Sequence, residues 1–293
     1  MDRPCNPMGY DPDELDRQYN ARASVSNCLD YLREYADASA RARQALNVSV
    51  AVPYGAHPDE TLDIFPAATA NSPVYVYLHG GYWRALSKDD SSFMAPALHA
   101  TGATVVAVNY SLAPGVTLDV IVGQCRRALA WIFHHAAQYH GDPARLHVSG
   151  SSAGGHLAGM LLAPGWQDDC RIPANVIHSA SVISGLFDLR PLVHTHINAW
   201  AGLNADSAAA LSPQFRLPVE NCPLLVAWGA EETAEFKRQS TDYAAAWTRN
   251  GFAAQSLEVA HANHFSILLT LQDSNSPLSR AIAGLMGLAI ADD

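Results

Sequence analysis

Positive charge is scarce: 18 lysines and arginines stand against 28 acidic residues in 293, a formal net charge of −10. Such a surface repels phosphate backbones and anionic lipid, which argues against nucleic-acid or membrane partners. A small anionic substrate stays compatible, because a few arginines act locally. Cysteine is also sparse. Cys5, Cys28, Cys125, Cys170 and Cys222 are odd in number and form no C-x-x-C pair. That argues against a disulfide framework or a Cys-based zinc site and favours a reducing compartment. Long apolar runs are missing: no stretch approaches the roughly 18 residues that cross a bilayer. Met1–Leu15 lacks the basic start and apolar stretch of a signal peptide. A cytoplasmic location is the resulting expectation. Linkers, charge blocks, low-complexity tracts and repeats are absent too, so one domain over 1–293 is expected, with 1–46 as an N-terminal helical extension.

What is present is a core. Hydrophobic residues make up 49% of the chain and charged ones 16%, ordinary values for a protein that buries one large interior. Asp11-Pro12-Asp13-Glu14 reads as a helix start, with Asp11 as cap, Pro12 in the first turn and Glu14 three residues on. Helices are predicted at 12–24 and 27–46, the second with Leu29, Leu32, Ala36 and Ser39 on one face. Strands follow near 48–53 and 61–65, and Val74–Leu78 is a continuous apolar strand. Beyond it helices (90–101, 117–140, 153–163, 233–250, 278–290) alternate with strands (104–108, 145–148, 176–183, 224–228, 255–259). Apolar strands alternating with helices indicate an α/β fold, a mostly parallel sheet with helices on both faces. In such sheets the reacting groups collect at the carboxyl ends of strands.

Gly150-Ser151-Ser152-Ala153-Gly154 matches G-x-S-x-G, with a strand before it and an Ala/Gly/Leu-rich helix after it. This is the strand–turn–helix context of the α/β-hydrolase nucleophile, where Ser152 stands on a strained turn and the flanking glycines make room. Chance would supply about 0.1 such matches in a chain this long. A phosphate loop would need Lys-Ser/Thr where His156-Leu157 stands. His79-Gly80-Gly81-Tyr82-Trp83 follows the strong strand, where backbone N–H donors for an oxyanion belong. Gly80 and Gly81 are candidates, with Ala153 N–H completing the set and His79 structural.

In this fold the chain order is serine, acid, histidine. Leu224–Gly229 is the strand before the acid, and Glu232, three residues past Gly229, is the favoured position. Glu235 is the alternative, or else a partner of the next helix's dipole. His261 and His264 are the histidines that follow; His264, before an apolar helix start, is favoured as base. His194-Thr195-His196 and His134-His135 with His140 are conceivable zinc ligands, but no H-E-x-x-H or third ligand at a telling spacing accompanies them. No metal and no cofactor is expected.

These motifs resemble the arylformamidase (kynurenine formamidase) branch of the α/β-hydrolases. The likeness rests on His79-Gly80-Gly81-Tyr82-Trp83, Gln18–Arg22, Leu62–Pro66, Asn109–Pro114, Gly150–His156, Ser184–Pro191, Glu232–Ser240 and Asn263-His264-Phe265. It spans most of the chain, and its pattern puts the acid four residues before Phe236, on Glu232, where the family more often has Asp. Hormone-sensitive-lipase-like esterases usually carry a third Gly and an Arg where Tyr82 and Ser111 stand. The resemblance implies hydrolysis of an N-formyl aryl amine through a formyl-enzyme on Ser152. It also sets Tyr82 and Trp83 against an aromatic leaving group, with core packing as the competing role. The N-terminal helices are placed over the pocket mouth, as a lid or as a packing layer. The expected partner is a small-molecule substrate, and a homodimer is compatible with it. Two rivals stay open: an esterase or amidase on another small acyl group, and a non-catalytic binding protein on the same fold.

Overall fold

The computed structural model describes residues 9–288. Cys5 and residues 289–290, the end of the expected last helix, lie outside them. Eight strands form one sheet in the order β1-β2-β4-β3-β5-β6-β7-β8. They are β1 (Ser49–Pro53), β2 (Thr61–Phe65), β3 (Ser72–Leu78), β4 (Thr104–Val108), β5 (Gly141–Ser151), β6 (Ile177–Ile183), β7 (Leu224–Gly229) and β8 (Ala254–Val259). β2 is antiparallel to both its neighbours, while β4-β3-β5-β6-β7-β8 run parallel. The sheet is mostly parallel, as expected. β3, β4 and β7 are buried along their whole length, because helices cover both faces; the edge strands β1 and β8 are largely exposed.

Among the described residues ten α-helices accompany the sheet: α1 (Pro12–Tyr19), α2 (Cys28–Ala45), α3 (Ala95–Ala100), α4 (Leu118–His135), α5 (Ala153–Leu162), α6 (Asn198–Ala201), α7 (Ala205–Ala210), α8 (Ala234–Arg249), α9 (Ser266–Leu269) and α10 (Pro277–Leu285). Asp11 caps α1 by accepting from Glu14 N–H, with Pro12 in the first turn.

Several bounds differ from expectation for local reasons. α1 stops at Tyr19 rather than 24, because the Asn20 carbonyl and side chain accept from Ala23 N–H and close a turn. The buried face of α2 is Tyr35, Ala38, Ser39 and Ala42, and Leu29 is exposed. The predicted helix 90–101 shrinks to α3, since Ser87 and Asp90 box a separate 3-10 turn ahead of it. α4 gives way to a 3-10 turn that ends at His140 in the left-handed region (φ 64°). β5 begins four residues earlier than predicted, where Gly141 pairs with Ser72 across a bulge. The short helices α6 and α7 were not expected; α7 is set by a capping box between Asn204 and Ser207 rather than by an apolar stripe.

β3 lies between β4, which follows it in the chain, and β5. The chain leaves β3 towards β4 on one side and leaves β5 towards β6 on the other, which opens a crevice at the carboxyl ends of β3 and β5. Leu78 stands opposite Gly150 in the register, so the loops after both strands emerge side by side.

Candidate active site

Ser152 sits between β5 and α5 at φ 55°, ψ −119°, a conformation L-residues rarely adopt. Its N–H donates to Ile183 O (2.8 Å), anchoring the turn to the end of β6. The turn closes only without side chains beside it. A Cβ on Gly154 would stand 2.0 Å from Leu78 O, and one on Gly150 would stand 2.3 Å from Gly154 O. Ala153 opens α5, where first-turn N–H groups have no intrahelical acceptor and the helix end carries partial positive charge.

The loop after β3 runs beside this turn. Gly81 (φ 95°), Tyr82 (50°) and Trp83 (57°) all take left-handed conformations, and that succession curls the chain around the crevice. A Cβ on Gly80 would be 3.4 Å from the Ser152 Cβ. His79 lies under the loop, stacked on Tyr110 with ring centroids 3.9 Å apart. Desolvation by burial pushes its pKa down to about 4, so the ring stays neutral, as a structural histidine should.

Glu232 and His264 arrive from the ends of β7 and β8. Glu232 Oε1 accepts from Gly229 N–H (2.6 Å) and Ser184 Oγ (2.5 Å), and Oε2 accepts from His264 Nδ1 (2.8 Å). A carboxylate only accepts, so Nδ1 carries the proton and the Nε2 lone pair is left for another donor. His264 is locked further by Asn263, whose Oδ1 accepts from the Phe265 and Ser266 N–H groups (2.9 Å each).

A cavity of about 290 Å³ opens above these residues. Gly80, Gly81, Tyr82, Ser151, Ser152 and His264 line it, together with Tyr35, Trp200 and Phe265. Its wall is therefore aromatic around a nucleophile, a histidine and the donor loop.

Comparison with known proteins agrees with this geometry. The BD-FAE family model matches residues 62–176. Kynurenine formamidase of Salmo salar is 33% identical over 94% of this chain and 96% of its own. That of Danio rerio is 33% identical over the same shares. The chain belongs to the kynurenine formamidase family. A crystal structure from Silicibacter sp. tm1040, a candidate thioesterase, superposes with a TM-score of 0.82 at 28% identity, covering 92% of this chain and 99% of that one. The protein is a hydrolase of the α/β-hydrolase superfamily.

Within this kynurenine formamidase relative, most residues singled out from sequence meet at the cavity. Trp83 does not. Its indole is fully buried, donates to His156 Nδ1 (3.1 Å) and meets that ring edge-on. The expectation that it flanks a leaving group is corrected: the left-handed turn at Tyr82 and Trp83 sends one ring to the cavity and the other into the core. Glu235 is engaged elsewhere, accepting from Tyr19 OH (2.5 Å) and from Arg238 (2.7 and 2.9 Å). His261 is exposed at φ 58°.

Three of the histidines considered as zinc ligands have other partners. His196 meets Asp16 (2.6 Å), His135 stacks on Trp131, and His140 Nδ1 lies 2.6 Å from Ala67 O. Among the described residues no three His, Cys, Asp or Glu side chains converge as a metal site. No helix among them is long and apolar enough to cross a membrane.

Sequence reasoning missed His156, Trp200 and Tyr35. His156 is fully buried, and desolvation holds its pKa near 4. Neutral, it accepts from Trp83 and donates from Nε2 to Leu211 O (2.8 Å), tying the donor loop to α5 and the segment after α7. Both His156 and Trp83 stand inside the quoted motifs, and that was the available signal. Trp200 reaches the wall from α6, a four-residue helix with no periodicity to read. The N-terminal segment contributes the turn after α1 and Tyr35, whose hydroxyl donates to Phe265 O (2.6 Å) beside His264.

Proposed function

We propose that the protein hydrolyses an N-formyl aryl amide, of the kind N-formylkynurenine represents, through a formyl-enzyme on Ser152. The observation that carries this reading is the Glu232–His264 pair opening onto the same aromatic cavity as Ser152 and the His79–Trp83 loop. Support for the substrate comes from the curated relatives, which carry the name kynurenine formamidase across nearly their full length.

In this scheme His264 Nε2 takes the Ser152 proton as Oγ attacks the formyl carbon. Glu232 keeps the imidazole in the Nδ1–H tautomer and stabilises the imidazolium that forms. The N–H groups of Gly80, Gly81 and Ala153 receive the charge on the carbonyl oxygen, where one donor is worth roughly 10²–10³ in rate. His264 then returns its proton to the leaving arylamine, and water, activated by the same base, releases formate. Tyr82 borders the leaving-group side of the cavity.

A second reading, an esterase or thioesterase on another small acyl group, is favoured by the candidate thioesterase at 28% identity. Specificity constants for N-formylkynurenine and for short p-nitrophenyl esters separate the two. We expect the formamide to be the better substrate, and Ser152→Ala to abolish both its turnover and fluorophosphonate labelling while the protein stays folded. Esters favoured by orders of magnitude would overturn the formamidase reading, and substantial turnover by Ser152→Ala would overturn the nucleophile.

A further inference from the structure

Many arginines face acids, such as Arg43 and Asp63, Arg127 and Glu60, Arg190 and Asp188, Arg238 and Glu235, while others, such as Arg145 and Arg216, donate to backbone carbonyls. Arg22 and Arg84 are different. Both line the cavity that holds Ser152 and His264, and no Asp or Glu lines it with them. Neither has a carboxylate partner among the described residues. In a chain of net charge −10, the cavity wall thus carries two arginines and no acid, the carboxylate of the site, Glu232, being spent on His264, Gly229 and Ser184.

Their mounting is specific. The guanidinium carbon of Arg84 lies 4.4 Å from the centroid of the Trp200 ring, and Trp200 is fixed by its Nε1–H donating to Tyr82 O (3.0 Å). Stacking occupies the flat face of a guanidinium and leaves its N–H edge to fork onto a carboxylate. Arg22 rides on the turn after α1, where the Asn20 carbonyl and side chain both accept from Ala23 N–H (3.1 Å each). That turn fixes the Arg22 backbone at the edge of the cavity. The nearby acid, Asp16, is already held by the His196 N–H and Nδ1 (2.6 Å each).

We propose that Arg22 and Arg84 form an anion subsite that reads a carboxylate on the leaving group, away from the scissile bond. The inference rests on the formamidase reading of the Ser152 site. It adds to that reading two specificity-determining residues, which would favour leaving amines that carry an acidic substituent over neutral ones.

The test uses the full chain and two matched substrate pairs: 4-formamidophenylacetate against formanilide, and 4-acetoxybenzoate against phenyl acetate. The quantity read is the ratio of kcat/KM for the anionic member to that for the neutral one. Arg22→Ala and Arg84→Ala are each expected to lower it about tenfold, the worth of one charge-assisted contact. The loss should fall on KM rather than kcat, with part of the ratio restored in Arg84→Lys. Added salt should lower the same ratio in the native protein. A double Arg22→Ala/Arg84→Ala variant that still labels with fluorophosphonate and keeps the native ratio overturns the subsite. If the native protein cleaves only the esters, the formamidase reading fails, and the ester pair alone still decides the role of the two arginines.

Discussion

Two carboxylates three residues apart have unlike surroundings, and their substitutions should separate accordingly. Glu232 is surrounded by donors that leave Oε2 to His264, whereas Glu235 is spent on Tyr19 and Arg238. Glu232→Gln presents an amide to His264 and no longer enforces the Nδ1–H tautomer. We expect kcat to drop by about 10²–10⁴, the scale of a lost triad acid, with little change in folding. Glu235→Gln breaks a buried pair with Arg238 and should cost about 3 kcal/mol of stability with a much smaller effect on kcat. Steady-state kinetics and urea unfolding of the two variants check the ranking; the reverse order in kcat moves the acid to Glu235. The spacing from Gly229 favours Glu232, but the reason lies in three dimensions: residue 232 lies on the tight turn after β7, while residue 235 is already on α8 and points to the N-terminal segment.

At the scale of elements, what was legible in sequence is what depends on local chemistry. The Ser152 turn needs its glycines, the strand β3 is apolar throughout because it is central, and His264 follows β8 as the chain order demands. Trp83 was misassigned because two adjacent positive-φ residues cannot be read from composition, and they decide which ring faces the cavity. The wall carrying Trp200 was invisible, since α6 and α7 are set by caps and tertiary contacts rather than periodicity. The N-terminal helices were recognised as helices, but their role comes from two tyrosines. Tyr82 OH donates to Tyr19 O (2.6 Å) and Tyr35 OH to Phe265 O (2.6 Å), so α1 and α2 brace both the donor loop and the His264 loop. Replacing both tyrosines by Phe should lower stability by about 1 kcal/mol per hydrogen bond and lower kcat. Urea unfolding and kinetics on Tyr35→Phe/Tyr82→Phe test the brace; unchanged kcat with reduced stability would reduce it to packing alone.

For the whole molecule, acid stability follows from three buried neutral histidines. Burial pushes His79 and His156 down to about 4 and His147 to about 3, the last helped by His178 and Arg145. The unfolded chain, with histidines near 6.5, binds more protons than the folded one in the interval between. Stability is therefore complete above about pH 6.5 and lost as pH falls from there towards 4. The linkage gives about 2 kcal/mol per histidine at pH 5. Urea midpoints at pH 7 and pH 5 measure it, and equal unfolding free energies at the two values would show that these rings titrate normally.

The brace from α1 and α2 has one more consequence. Tyr19 meets the loop after β3 and Tyr35 the loop after β8, the last strand of the sheet. The reactive pocket is thus a joint between early and late portions of the polypeptide. A polypeptide truncated before β8 would carry Ser152 but neither His264 nor the Phe265 carbonyl on which Tyr35 docks.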